Sequence, residues 1–558
     1  MQHNEDKIRA RESRASIERI YITVRHLFMR GSYKPLGVSG EALMESLLTL
    51  NPEIYGLMKD PERVELDGLL YVMERLPDGI EECRIIKLVA REGYENTSLK
   101  VIVPPKRKRN CYRIDDDRMY IEMTRGRSDV NDILTHLTFL FSESQKIMKH
   151  SLTLKGKPND DWQSLKSIVQ LESNGEDFDE KRASIYLSNI LGRTIDETTK
   201  AIEKFNYGNN AHSLYHITYW LGKIAIGEEL DNVDREVTFS AELRKIVGQH
   251  IYGEQWAHKI KTHLVENGLH ERPIHIISAN LHSFMNAVYG FDALKEKKYA
   301  NVMNMAMDTS EEGNSELRNK ITDFASKNGM VEIEDHSGTN LTVQIFDLEN
   351  FSSSHWSIKN TKEETPVLVV MDYAFGEQAF ECMDELLKPY EVEGEEQQPL
   401  NIASINIMGK AGILEGKKGD IMIPTAHVFE GTADNYPFKN DFSKEEFVNK
   451  QGISVFEGPM ITVLGTSLQN KDVLIHFLTS TWNAVGLEME GACYQKAIQA
   501  ATMIRKSIDE NVKIRYAYYA SDNPLETGST LASGSLGAEG VVPTYMITER
   551  ILEKIFDK

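Results

Sequence analysis

The sequence predicts an α/β protein in which residues 270–558 form an α/β/α sandwich with a mixed sheet, joined to a mainly helical α+β domain over residues 1–230. Three observations carry that expectation. In the second half, short runs of β-branched and apolar residues alternate with helical patterns, which is how a sheet covered on both faces reads. The first half is dominated by apolar residues at helical spacing. A chain of 558 residues also exceeds what one hydrophobic core ordinarily serves.

In chain order, residues 14–31 place Ile17, Ile20, Val24, Leu27 and Phe28 on one helical face, and 131–149 and 211–228 read the same way. Between them, 82–103 and 110–123 are richer in β-type residues, the material of a small sheet. Residues 231–269 read as a helical connector. After Arg272-Pro273, Ile274-His275-Ile276-Ile277 has the continuous apolar character of a buried strand, and Ser278-Ala279-Asn280 leads from it into a helix. Further strands are expected at Leu341–Phe346, Val367–Met371, Ala403–Met408, Asp420–Pro424, Met460–Leu464 and Ile514–Ala520, with helices near 376–388, 470–480 and 487–507. Ligands of such a sheet are expected at the carboxyl ends of its strands.

Composition narrows the function classes. With 41% hydrophobic and 27% charged residues the chain is globular, and no apolar run approaches the roughly 20 residues that span a bilayer, so no membrane partner is expected. The N-terminal MQHNEDKIRARES is polar and mixed in charge, and a cytoplasmic location is expected from it. The four cysteines, Cys83, Cys111, Cys382 and Cys493, form no C-x-x-C pair and read as core thiols of a reducing compartment. A formal charge of −21 argues against nucleic acid, which demands local positive charge. The basic run Lys106-Arg107-Lys108-Arg109 reads as a solvated loop. His212 and His216 stand four apart on a predicted helix, but a third ligand and a glutamate are missing, so no metal is expected; no cofactor is expected either.

The chemistry is expected near the C-terminus. Gly486-Leu487-Glu488-Met489-Glu490-Gly491-Ala492 runs into a helical stretch, and about thirty residues on, a β-rich segment ends in Tyr519-Ala520-Ser521-Asp522-Asn523-Pro524. Two separated carboxylates at element junctions are what a site needs to grip a sugar diol and protonate a departing base. Upstream, Ile407-Met408-Gly409-Lys410-Ala411-Gly412 couples a strand to glycines that let backbone approach a ligand, and Glu430-Gly431-Thr432-Ala433-Asp434-Asn435-Tyr436 follows. Taken singly, these features also have plain structural readings: Glu490 as an acid at a helix N-terminus, Asp522 as a turn former, the glycines as turns, Lys410 as a surface lysine.

In order and flanks these motifs resemble the purine nucleoside phosphorylase and nucleosidase superfamily, and AMP nucleosidase most closely within it. The likeness begins at Ile274, includes Phe375-Gly376, and leaves the N-terminal half uncovered. It implies a nucleoside-phosphorylase-like sandwich acting on N-ribosidic bonds. By this resemblance Glu490 accepts hydrogen bonds from the ribose hydroxyls, Met489 packs beneath the sugar, and Asp522, beside Ser521, protonates the purine ring; Gly409, Lys410, Gly412, Gly376 and Glu430 join the substrate site. Positive charge grows on the sugar and negative charge on the base as the bond breaks, so Glu490 is expected to stay ionised and Asp522 to hold a proton.

Departures from the family pattern are equally specific. Where AMP nucleosidases carry a phosphate-holding Gly-Ser-Pro-type turn, this chain has Gly376-Glu377-Gln378, and Val428 or Phe429 stands where an arginine is common. Related nucleosidases have a glutamate after the first strand; here Ser278-Ala279-Asn280-Leu281-His282-Ser283 has no carboxylate, leaving Asn280 and His282 to orient a nucleophile or a ribose hydroxyl. The function expected is hydrolysis of a purine nucleoside or nucleotide, with an N-terminal domain that regulates or assembles the enzyme and with homo-oligomers implied by the resemblance. A catalytically silent nucleotide-binding or scaffold protein and a phosphate-dependent phosphorylase stand as alternatives.

Overall fold

The computed structural model describes residues 2–107, 109–207, 211–311, 313–359, 361, 363–392, 396–432, 434–447, 452–465, 468–526 and 537–556. The chain divides into two compact units, Met1–Gln249 with Ser467–Val473, and His250–Thr466 with Leu474–Lys558.

The N-terminal unit carries the expected helices, among them Gln2–Arg30, Gly126–Ser151 and Leu214–Asp231. Its six-stranded sheet is built from β1 (Ser32–Tyr33), β2 (Ile85–Val89), β3 (Val101–Ile102), β4 (Cys111–Arg113), β5 (Arg118–Glu122) and β6 (Glu236–Phe239), in the order β1-β6-β2-β5-β4-β3. The basic run at 106–109 is not a wholly solvated loop. Arg109 is only 3% exposed, donating to Asp129 at 2.8 Å and to Asp132 at 2.6 Å, so its charge is neutralised inside the unit. Lys108 lies outside the described residues. The stretch 231–269, expected as a helical connector, is divided: β6 enters the N-terminal sheet, and the helix Ile251–Glu266 buries Trp256, Ile260 and Leu264 in the core of the C-terminal unit.

The C-terminal unit is the expected mixed α/β sandwich. Its ten strands are β7 (Ile274–Ser278), β8 (Met330–Ile333), β9 (Val343–Asp347), β10 (Val367–Met371), β11 (Ile402–Ile413), β12 (Ile421–Phe429), β13 (Asp434–Pro437), β14 (Val455–Thr462), β15 (Gly486–Glu488) and β16 (Lys513–Asp522). They lie in the order β13-β12-β14-β15-β11-β7-β10-β9-β8. β16 pairs with both β11 and β12, so β11, β16, β12, β14 and β15 close on one another. β7, β10, β11 and β16 run parallel, which explains the continuous apolar runs of β7 and β10, buried along their whole length.

The period of two in these strands sorts side chains to two cores. Ile276, Val367 and Val369 meet the helices Ile251–Glu266, Gln378–Leu386 and Gly491–Gln499 on one face. Ile277, Leu368 and Val370 meet Phe284, Ile321 and Ile551 of the helices Leu281–Ala293, Ser315–Lys327 and Val541–Ile555 on the other. All four cysteines are free and buried. Among the described residues no helix is long and apolar enough to cross a membrane.

Candidate active site

The site is organised around β11. Along one edge of this long strand β7 pairs only as far as Ser278 opposite Ile407, and β15 takes over with Leu487 opposite Gly412. Along the other edge β16 continues to Asp522, which faces Gly412 across a bulge after Ala411. Residues 408–411 therefore face an opening between β7 and β15, and the antiparallel register of β15 carries Met489-Glu490 toward it. Glu490 and Asp522 stand on opposite edges of one strand, with exposed Lys410 between them and its charge acting on both carboxyls.

Asp522 ends β16 and is 4% exposed. Ser521 Oγ donates to its Oδ1 at 2.6 Å, while Oδ2 is buried with no hydrogen-bond partner. Burial raises the carboxyl to about 6 against the lowering effect of the Ser521 hydroxyl and of Lys410 and Lys418. A carboxyl so placed keeps a proton nearer neutrality than an ordinary aspartate.

Glu490 is half-buried at the N-cap position of the helix Gly491–Gln499, and its Oε1 accepts the Gly376 amide at 3.0 Å. Gly376, at φ 57°, takes up left-handed backbone just before the helix Gln378–Leu386, which suits a residue without Cβ. Burial first, and the neighbouring Glu488 second, raise Glu490 to about 8; the amides of Gly376 and Met489 and the charge of Lys410 pull it down. Loss of hydration thus outweighs the donors around Glu490 and favours its protonated form, counter to the expectation that it stays ionised.

Glu488 holds this turn in place, a role that the motif alone did not reveal. It is 4% exposed, and its Oε2 accepts the amides of Glu490, at 2.6 Å, and Gly491, while its Oε1 accepts the Thr462 hydroxyl. Thr462 Oγ1 in turn accepts the Ala492 amide at 2.8 Å, so the first turn of the helix is capped from β14 and β15. Tyr494, one turn on, places its hydroxyl 2.9 Å from Ser278 Oγ, tying the helix to the end of β7. His427 of β12 lies fully buried against Phe438 and Tyr516, with Nδ1 3.4 Å from Glu488 Oε1.

That packing leaves no room at Gly491, where a Cβ would stand 2.3 Å from His427 Nδ1 and 2.8 Å from Glu488 Oε1. Gly491→Ala is expected to destabilise the protein by about 1–3 kcal/mol through overpacking. Thermal melts of the two proteins check it, and an unchanged melting temperature would contradict this packing.

The remaining candidates divide. Gly376, Met489, Lys410, Gly412 and Ser521 join Glu490 and Asp522 around β11. Gly409 belongs to the same strand, where a Cβ would approach the Tyr518 ring to 3.3 Å. Glu430 is buried at the end of β12, its amide donating to Thr462 O at 2.9 Å and its Oε2 accepting from Leu464 N at 3.3 Å, which joins β12 to β14. Asn280 caps the helix Leu281–Ala293, its Oδ1 accepting from Ser283 N at 3.2 Å, and His282 is exposed on the first turn. Asn280 thus uses its Oδ1 to cap the helix end. Ala433 lies outside the described residues.

A family model described as a family of unknown function, DUF6909, matches residues 41–309 and 295–557. The chain belongs to this family. No curated protein matches it. Among solved structures, similar ones include the 5'-methylthioadenosine/S-adenosyl homocysteine nucleosidase of Campylobacter jejuni, at 13% identity over 51% of this chain and 100% of that one, with a TM-score of 0.32. Futalosine hydrolase of Helicobacter pylori matches at 12% identity over 51% and 97%, with a TM-score of 0.28. Uridine phosphorylase of Schistosoma mansoni matches at 13% identity over 55% and 93%, with a TM-score of 0.32.

Proposed function

We propose that the C-terminal unit cleaves the N-ribosidic bond of a purine nucleoside or nucleotide by hydrolysis. The observation that carries this reading is Asp522: a carboxyl at a strand end, buried, raised to about 6, with one oxygen lacking any protein partner and a second carboxyl across the same strand. As the bond between the anomeric carbon and the base nitrogen breaks, its electron pair goes to the base, and Asp522 delivers a proton to a ring nitrogen. Ionised Glu490 accepts hydrogen bonds from the ribose hydroxyls and faces the positive charge that grows on the sugar; water adds to the anomeric carbon and sheds a proton to solvent, from which the Asp522 carboxylate is reprotonated. Met489 lies beneath the sugar. A homo-oligomer and a regulatory or assembly role for the N-terminal unit belong to the same proposal.

Asn280 favours a second reading. With its side chain capping a helix and no carboxylate in 278–283, the group that activates water in related nucleosidases has no counterpart at that position, which suits a protein that binds nucleotides without turnover. Incubation with a panel of purine nucleosides and nucleotides, with and without inorganic phosphate, separates the possibilities. Free ribose from a nucleoside, or ribose 5-phosphate from a nucleotide, released with the base supports hydrolysis, a 1-phosphorylated sugar made only with phosphate supports a phosphorylase, and binding without base release supports the silent protein.

The 5' substituent follows from charge. Glu377, Glu488 and Glu490 all press on the buried thiol of Cys493, which marks a local concentration of carboxylates, and Lys410 is the cation that acts on both candidate catalytic groups. A phosphate dianion brought to such a site is repelled, so AMP is not expected to be preferred over adenosine. Specificity constants for the two at low and high salt test this; an AMP preference that collapses with salt would contradict it.

A further inference from the structure

The N-terminal unit brings together donor groups that lie far apart in sequence. His216 stands on the first turn of the helix Leu214–Asp231 and His212 just before it, and the short turn Ile80–Glu82 supplies Glu81. His212 Nδ1 is 2.5 Å and His216 Nε2 3.8 Å from the same oxygen, Glu81 Oε1, and the three donor atoms all lie within 4.8 Å of one another. The third ligand absent from the neighbourhood of the histidines in sequence thus arrives from 131 residues away.

Glu81 is 1% exposed, and its second oxygen, Oε2, is buried without a hydrogen-bond partner. Beside it, Glu82 Oε1 is 2.7 Å from His216 Nε2, and Arg113 holds the other Glu82 oxygen at 2.5 Å. Arg113 is itself fixed by donating to the carbonyls of Asp115 at 3.0 Å and Asp116 at 2.8 Å. Ser213 Oγ accepts the His216 amide at 3.1 Å and donates to Glu172 at 2.9 Å, so the backbone bearing the histidines is anchored too.

Protons alone satisfy this cluster poorly. Arg113 already balances Glu82, yet Glu81 keeps an unpartnered oxygen beside two imidazoles whose rings lie 4.0 Å apart between centroids. A single divalent cation balances Glu81 while both rings stay neutral and each offers it a lone pair. Two imidazoles and a carboxylate suit a borderline metal, with donors near 2.0–2.2 Å from it, hence about 3.4 Å from one another in a tetrahedron. The present spacings bracket that value.

We propose that His212, His216 and Glu81 form a zinc site, with Glu82 as fourth ligand and Arg113 orienting it, that pins the turn Ile80–Glu82 to the helix Leu214–Asp231. The test uses the full chain, stripped with a chelator and titrated with Zn²⁺ against a chromophoric competitor, followed by elemental analysis after gel filtration. One tightly held zinc per chain is expected, with affinity falling on the order of 100-fold or more in His212→Gln, His216→Gln and Glu81→Gln, because each removes a donor. His336→Gln, at the exposed Glu334–His336 pair, is expected to leave it unchanged. Should a variant fail to fold, X-ray absorption of zinc-loaded wild type decides, the expected shell being two imidazoles with oxygen and no sulfur. No stoichiometric zinc in the wild type, affinity indifferent to the three variants, or a sulfur shell would overturn the proposal.

Discussion

Asp522→Asn is expected to lose on the order of 10²–10⁴-fold in kcat while ligand binding changes little, because the substitution removes a proton donor and keeps its volume. The pH profile adds a readout that a merely structural role would not move. Asp522, raised to about 6, holds its proton below that pH; Glu490, raised to about 8, ionises above it. The competent form needs protonated Asp522 and ionised Glu490, the reverse of the arrangement most populated between those values. The competent form is therefore a minor species between the two values, and kcat/KM traces a bell with its maximum between them. In Asp522→Asn the residual activity should lose the limb that falls with rising pH. Wild-type rates of base release from the purified variant would remove Asp522 from the chemistry.

Glu490→Gln should weaken both binding and turnover of ribosides by about 1.5–3 kcal/mol, or roughly 10- to 150-fold, since a hydrogen bond to a charged group is exchanged for a neutral one. The variant keeps an oxygen for the Gly376 amide, so the turn before the helix Gln378–Leu386 is expected to stand. Free base should bind almost as before, because the lost contact belongs to the sugar, and the limb of the pH profile that rises with pH should vanish. Calorimetric titration with nucleoside and with free base separates these effects. Equal losses for both would place Glu490 away from the ribose.

Legibility in the sequence tracked how local each determinant is. β7 and β10 were plain because a strand buried on both faces must be apolar throughout, and the sheet sandwich followed from their alternation with helices. β15 was absorbed into a predicted helix over 487–507, since three residues, Gly486–Glu488, carry too little pattern to separate from the helical run behind them. With the strand went the meaning of Glu488, whose capping bonds exist only because the chain turns sharply after it. The second pairing of β16, with β12, is a tertiary fact that no periodicity encodes. Glu81 illustrates the same limit: two histidines four residues apart are visible as a motif, whereas the carboxylate they share is set by packing.

The closure of β11, β16, β12, β14 and β15 also bears on how this chain resists sticking to itself. Most strands of the described sheet have partner strands on both sides, and β13 and β8 are the two with a single partner. β13 spans four residues, opens with Asp434 and closes with Pro437, which has no N–H to donate. β8 is equally short and carries Glu332, tethered to Gln344 at 3.1 Å. Short, charged and proline-bearing borders discourage sheet-to-sheet polymerisation.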